Sequence, residues 1–121
     1  MPADSLNVAY SIYSESKRAH YYGSSGCMER RLRQHRTNQG AEQTKGTYDW
    51  VLVMYVCGFP AGTPGLSVAK QFETQWQHTP WTEHRSLADS ANLAAYLISL
   101  WAKRAAAAGT KPLPLVLEAQ V

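Results

Sequence analysis

Cysteine is scarce in this chain: Cys27 and Cys57 are the only two among 121 residues. Two thiols are too few for a disulfide framework, and neither has a His or Cys at zinc-site spacing. They read as free thiols in a reducing, intracellular compartment. No apolar stretch is long enough to span a bilayer. Met1 to Asn7 has neither the basic start nor the apolar centre of a secretory signal. Internal repeats and linker-like stretches are also missing. These absences exclude a disulfide-stapled scaffold, a membrane span and a repeat array. What remains is one domain's worth of chain, residues 1–121 with a core over about 7–117. Its hydrophobic content of 45% is enough for one packed core.

The net charge of +3 is modest but unevenly placed. Between Lys17 and Lys45 stand seven basic residues and two acidic ones; the rest of the chain holds five basic and seven acidic. A positive patch on an otherwise near-neutral protein suits a polyanion, and a solvated basic helix would give the same count.

Asn7 to Tyr13 alternates loosely and is rich in aromatic and β-branched residues, which predicts a strand. Ala19 to Gly23 predicts a second, with a turn between them. Ser24-Ser25-Gly26 breaks the pattern and can cap a helix from about Cys27 to Arg36. Thr37 to Thr47 is polar and reads as a loop. Trp50 to Cys57 is a continuous apolar run, expected to be a central strand buried on both faces. Ala61 to Gly65 reads as a Gly/Pro loop, followed by a helix from about Leu66 to Gln77. Val68, Phe72 and Trp76 form its apolar stripe. Thr79 to Leu87 is a polar connection. Asp89 or Ser90 is expected to cap a long helix to about Ala108, with Leu93, Tyr96, Leu97, Leu100 and Trp101 buried. Pro112 and Pro114 leave room only for a short edge strand at Leu115-Val116-Leu117. The fold class is α/β, a short central mixed β-sheet flanked by helices.

Two tyrosine clusters, Ser11-Ile12-Tyr13 and Tyr21-Tyr22-Gly23, each end a predicted strand. The basic helix after them carries Arg31 and His35 four residues apart, on one face. Arg30, Arg33 and Arg36 repeat at three-residue spacing on another side. Met28 and Leu32 supply the apolar contact. Glu73 sits beside Phe72, with Ala69 and Gln77 as its helix neighbours, at the rim of an apolar stripe. Singly, each has an ordinary structural use. Together they suit phosphodiester hydrolysis. A tyrosine near a cation can take a proton from water. Arginine grips phosphate oxygens. One carboxylate can hold a Mg²⁺ that keeps most of its waters.

Their order resembles the GIY-YIG nuclease superfamily. The wider pattern is similar to the catalytic domain of the eukaryotic Slx structure-specific endonucleases. It runs through Arg30-Arg31-Leu32-Arg33-Gln34-His35, Trp50-Val51-Leu52-Val53, Gly58-Phe59-Pro60, Phe72-Glu73, Trp76-Gln77-His78 and Leu113 to Leu117. The resemblance implies that Tyr13 activates the attacking water and that Tyr21 contacts phosphate or assists proton transfer. It implies Arg31 as the catalytic arginine, His35 as an active-site histidine and Glu73 as the ligand of one Mg²⁺ or Mn²⁺. Arg30, Arg33, Arg36 and Lys45 would hold the DNA backbone. The implied reaction cuts branched DNA (flaps, forks, Holliday junctions) to a 5′-phosphate and a 3′-hydroxyl, as in DNA repair and recombination. The alternatives are a catalytically weak DNA-binding module of the same fold, or a GIY-YIG nuclease with other nucleic-acid substrates. Ser11 stands in place of the first motif's glycine, and Tyr22 in place of the second motif's aliphatic residue. The Slx nucleases follow this region with a cysteine-rich zinc domain that docks a scaffold protein, and this chain has no such segment. It reads as nuclear if it is a cellular eukaryotic protein, and otherwise as viral.

Overall fold

The computed structural model describes residues 7–77 and 86–120. Strands β1 (Val8–Ser14) and β2 (Ala19–Ser25) form a hairpin, followed by helix α1 (Met28–Arg36) and a 3-10 turn at Glu42–Thr44. Strand β3 (Val51–Cys57), helix α2 (Gly62–Gln77), helix α3 (Leu87–Ala107) and strand β4 (Val116–Ala119) complete the described chain. The strand order is β2-β1-β3-β4, so β4 is the edge strand expected after the prolines. Every pairing is antiparallel, where a mixed sheet was expected. The apolar run of β3 was expected to be a central strand buried on both faces, and β3 lies between β1 and β4. It is apolar because helices and loops cover both faces of the sheet, and pairing direction plays no part in that.

Side chains alternate along a strand, so β1 feeds two cores. Val8, Tyr10 and Ile12 face Met28 and Leu32 of α1, together with Trp50. Ala9 and Tyr13 face the opposite way, toward Phe72 and Trp76 of α2 and Ala94 and Leu97 of α3. A register shift opposite Ser11 and Ile12 leaves Val53 as an extra residue in β3. That bulge lets consecutive Val53 and Met54 both join the α2–α3 core.

Both later helices begin earlier than expected. Helix α2 starts at Gly62 because Pro64 falls in its first turn, where no backbone N–H is required. Gly65 is needed there: a Cβ would overlap the Pro60 carbonyl. Buried Asn7 fastens the same corner by donating to the carbonyls of Pro60 and Gly62 at 2.7 and 2.9 Å. Helix α3 is capped by Ser86, whose hydroxyl accepts from the Asp89 N–H in a capping box. Asp89 is thus the box partner rather than the cap. Ser90 is buried inside the helix, where it meets the Tyr22 hydroxyl at 2.5 Å. Tyr22's ring also packs on Trp76 at 5.0 Å, so its extra bulk is absorbed by α2 and α3. Tyr96, expected in the buried face of α3, is 61% exposed. Leu93, Leu97 and Trp101 already fill the stripe toward the sheet. Ser25, for its part, lies within β2 and brackets Cys27, which takes the N-cap position of α1.

The hairpin is tied to the loop before β3. Asp49 accepts hydrogen bonds from the hydroxyls of Ser14, Ser16 and Thr47 and from the Ser16 N–H, at 2.6 to 2.9 Å. Those bonds, Ser14's first, hold its carboxyl well below the usual carboxylate range. Lys17 donates to the carbonyls of Gln43 and Lys45. The loop is thereby pinned against the hairpin.

Candidate active site

Helix α1 brings Arg31 and His35 to the sheet one above the other, as their spacing predicts. The strand residues that meet them are Tyr10 and Tyr21. The Tyr10 hydroxyl and His35 Nε2 share a hydrogen bond of 2.7 Å, in a contact wholly inside the protein. The Tyr21 ring lies 5.1 Å from the His35 ring, centroid to centroid. Arg31 interacts with both tyrosine hydroxyls, and its Nη1 donates to Gln34 at 2.9 Å. Glu73, half-buried on α2, acts electrostatically on Tyr10. Tyr10, Tyr21, Arg31 and His35 therefore form one cluster of two phenols, a guanidinium and an imidazole, and the Glu73 carboxylate acts on it through its charge.

Tyr13 is not brought to this cluster. It lies three residues from Tyr10, an odd step, so it points through the opposite face of β1. There it packs against His20 at 4.9 Å. Loss of solvent and then Glu15 push its phenol up. The tyrosine of the first motif that meets the other site residues belongs to Val8-Ala9-Tyr10. Ser11 is accordingly no motif glycine but a buried residue opposite Tyr22 and Met54.

The glycine of Tyr21-Tyr22-Gly23 has a physical cause. Tyr10 and Gly23 are cross-strand neighbours. A Cβ on Gly23 would lie 2.5 Å from the Tyr10 hydroxyl and 2.6 Å from its ring carbon Cζ. Tyr10 can cross the sheet toward the site only over a residue with no side chain.

Burial sets the protonation states. It pushes the Tyr10 phenol well above its ordinary value; the hydrogen bond with Arg31 offsets only part of this. His35 is lowered to about 4, first by burial and then by the Arg31 charge. Burial alone would lower Arg31, but Tyr10 and Tyr21 outweigh it and raise its pKa. At neutral pH the cluster thus holds a protonated phenol, a neutral imidazole and a permanent cation.

Arg30, Arg33 and Arg36 are exposed along the outer side of α1. Arg36 also donates from Nε to the Trp50 carbonyl at 2.8 Å, so it anchors the helix end to β3. Lys45 is exposed and pairs with Glu42 at 2.8 Å. His78 lies outside the described residues. Among the described residues no three His, Cys, Asp or Glu side chains gather as a metal cage. Glu73 is the carboxylate whose charge reaches Tyr10. A single hard oxygen donor fits a Mg²⁺-type ion whose other ligands are water and substrate oxygens.

Sequence reading missed two residues here. Strand parity relative to Tyr21 could have found Tyr10. Thr44, which meets His35 from the loop, carries no signal that local sequence could supply.

Residues 7–84 match the GIY-YIG catalytic domain family. The chain is 39% identical over 82 residues to the structure-specific endonuclease subunit slx1 of Schizosaccharomyces japonicus, covering 64% of this chain and 29% of that protein. It is 45% identical over 75 residues to the structure-specific endonuclease subunit SLX1 of Eremothecium gossypii, covering 57% and 24%. It is 41% identical over 76 residues to an SLX1 homolog of Cryptosporidium parvum, covering 60% and 18%. The chain thus spans less than a third of the length of these relatives. With that match over residues 7–84, and with its tyrosine pair, arginine and histidine gathered at one place, the chain belongs to the GIY-YIG family.

Proposed function

We propose that this domain is a metal-dependent endonuclease that hydrolyses phosphodiester bonds in branched DNA (flaps, forks or Holliday junctions), leaving a 5′-phosphate and a 3′-hydroxyl. The observation that carries the reading is the Tyr10–His35 hydrogen bond beside Arg31. A raised phenol is a poor base alone. Bonded to a neutral imidazole, Tyr10 passes its own proton to His35 as its oxygen takes one from water. Arg31 steadies the negative charge that grows on the phenol oxygen and the phosphate. Tyr21, within reach of Arg31, contacts the phosphate. Glu73 would hold Mg²⁺ or Mn²⁺, which supplies charge neutralisation at the phosphate and the leaving oxygen. In this reading Tyr10 takes the part first expected of Tyr13.

Arg30, Arg33, Arg36 and Lys45 form the exposed basic side of the same helix and loop, suited to the DNA backbone. The matched relatives are named as endonuclease subunits, which supports a partner protein; a branched-DNA substrate would put the work in the nucleus of a eukaryotic cell. Residues 7–117 would form one catalytic domain.

The test is a nicking assay on end-labelled flap, Holliday-junction and linear duplex DNA with Mg²⁺, Mn²⁺ or chelator, comparing wild type with Glu73→Gln. Metal-dependent cutting of the branched DNAs, lost in the variant, is the expected result. Equal cutting of all substrates would remove the branch selectivity. Salt-sensitive binding without cutting would leave a DNA-binding module.

A further inference from the structure

We propose that Thr44 is a positioning residue that keeps the proton of His35 on Nδ1 and so reserves Nε2 for the proton of Tyr10. The inference rests on the proposed use of Tyr10 and His35.

A threonine hydroxyl has one proton to give. Thr44 Oγ1 lies 2.8 Å from the Ala41 carbonyl, which can only accept. The hydroxyl proton is therefore committed to Ala41. Thr44 Oγ1 also lies 2.8 Å from His35 Nδ1. With its proton spent, Oγ1 must accept there, so Nδ1 carries the hydrogen. A neutral imidazole has only one N–H, which leaves a lone pair on Nε2 facing the Tyr10 hydroxyl at 2.7 Å. The chain runs in one direction: Tyr10 O–H to His35 Nε2, His35 Nδ1–H to Thr44, Thr44 O–H to Ala41. When Nε2 gains the Tyr10 proton, the imidazolium keeps an acceptor for its other hydrogen. No atom of the chain has to turn.

The surroundings hold Thr44 in place. Thr44 and His35 are both fully buried. The Trp50 indole N–H donates to the Thr44 carbonyl at 2.9 Å, inside the protein. The loop reaches His35 because Gly40 has no side chain; a Cβ there would lie 2.5 Å from Nδ1. Polar segment 37–47, expected as a plain loop, is in these terms a strap closed over the histidine.

The test reads the tautomer directly, by long-range ¹H–¹⁵N correlation on histidine-labelled protein, with His35→Gln to assign the signal. Wild type and Thr44→Ser should both carry the His35 hydrogen on Nδ1. Thr44→Val should shift it toward Nε2 and lower cleavage about 100-fold, and Thr44→Ser should restore both. A hydrogen on Nε2 in wild type or in Thr44→Ser overturns the proposal. So does a folded Thr44→Val with unchanged tautomer and cleavage. Should Thr44→Val lose its near-UV circular dichroism, wild type and Thr44→Ser still decide the matter. If no variant cuts DNA but the tautomers follow this pattern, the nuclease reading fails and the assignment to Thr44 stands.

Discussion

The two faces of the sheet bury comparable residues for different ends. Under α2 and α3, Phe72, Trp76, Phe59 and Trp101 meet edge to face, with centroids 5.4 to 6.4 Å apart. Polar atoms there are closed off in short contacts, such as the Trp76 indole N–H on the Ser90 carbonyl at 3.0 Å. Under α1 the polar groups form a directed chain, Tyr10 to His35 to Thr44 to Ala41. The first face holds the sheet together, and the second spends buried area on setting a proton. One strand, β1, serves both by alternation alone, so neighbouring residues such as Tyr10 and Ser11 belong to different functions.

This contrast can be broken from either side. Phe72→Ala should cost about 3–5 kcal/mol of stability by emptying the aromatic core, measured by urea unfolding. Gly23→Ala should act on the other face: its methyl group must displace Tyr10, costing about 1–3 kcal/mol and most of the cleavage. Retained activity with wild-type stability would show that Tyr10 does not need that crossing.

A pH series sharpens the comparison. In the unfolded chain His35 titrates near its ordinary value of about 6.5, while in the folded protein it is lowered to about 4. Between those values the unfolded state binds the proton more readily. Stability from this site is therefore complete above about pH 6.5 and is lost progressively as pH falls to about 4. His35→Gln should flatten that part of the curve, as read from denaturant midpoints at pH 7.5 and pH 5. The smallest effect is expected at Ser11, a buried hydroxyl without a hydrogen-bond partner among the described residues. Ser11→Ala should be neutral or stabilising by about 1 kcal/mol. A clear loss of stability would mean that the hydroxyl is satisfied.

Much of this was legible in the sequence. The strands, the amphipathic α1 and the edge position of β4 follow from local pattern. So does the pairing of Arg31 with His35, which needs only the pitch of a helix. The starts of α2 and α3 were obscured because Gly62, Pro64 and Gly65 look like a loop until Pro60 and Asn7 are seen to demand them. The first motif was read as Ser11-Ile12-Tyr13 because two tyrosines stand three apart. Only strand parity, fixed by the pairing of Ile12 with Tyr21, separates them. Thr44 was invisible because its partner His35 is nine residues away, across a loop whose closure depends on Trp50 and Gly40.

The central claim is that Tyr10, and not Tyr13, belongs to the reacting centre. The most direct measurement is the cleavage rate of Tyr10→Phe beside Tyr13→Phe, on branched DNA with Mg²⁺. Tyr10→Phe should lose about 10³-fold with its fold intact, while Tyr13→Phe should cut near the wild-type rate. An inactive Tyr13→Phe beside an active Tyr10→Phe would contradict the account.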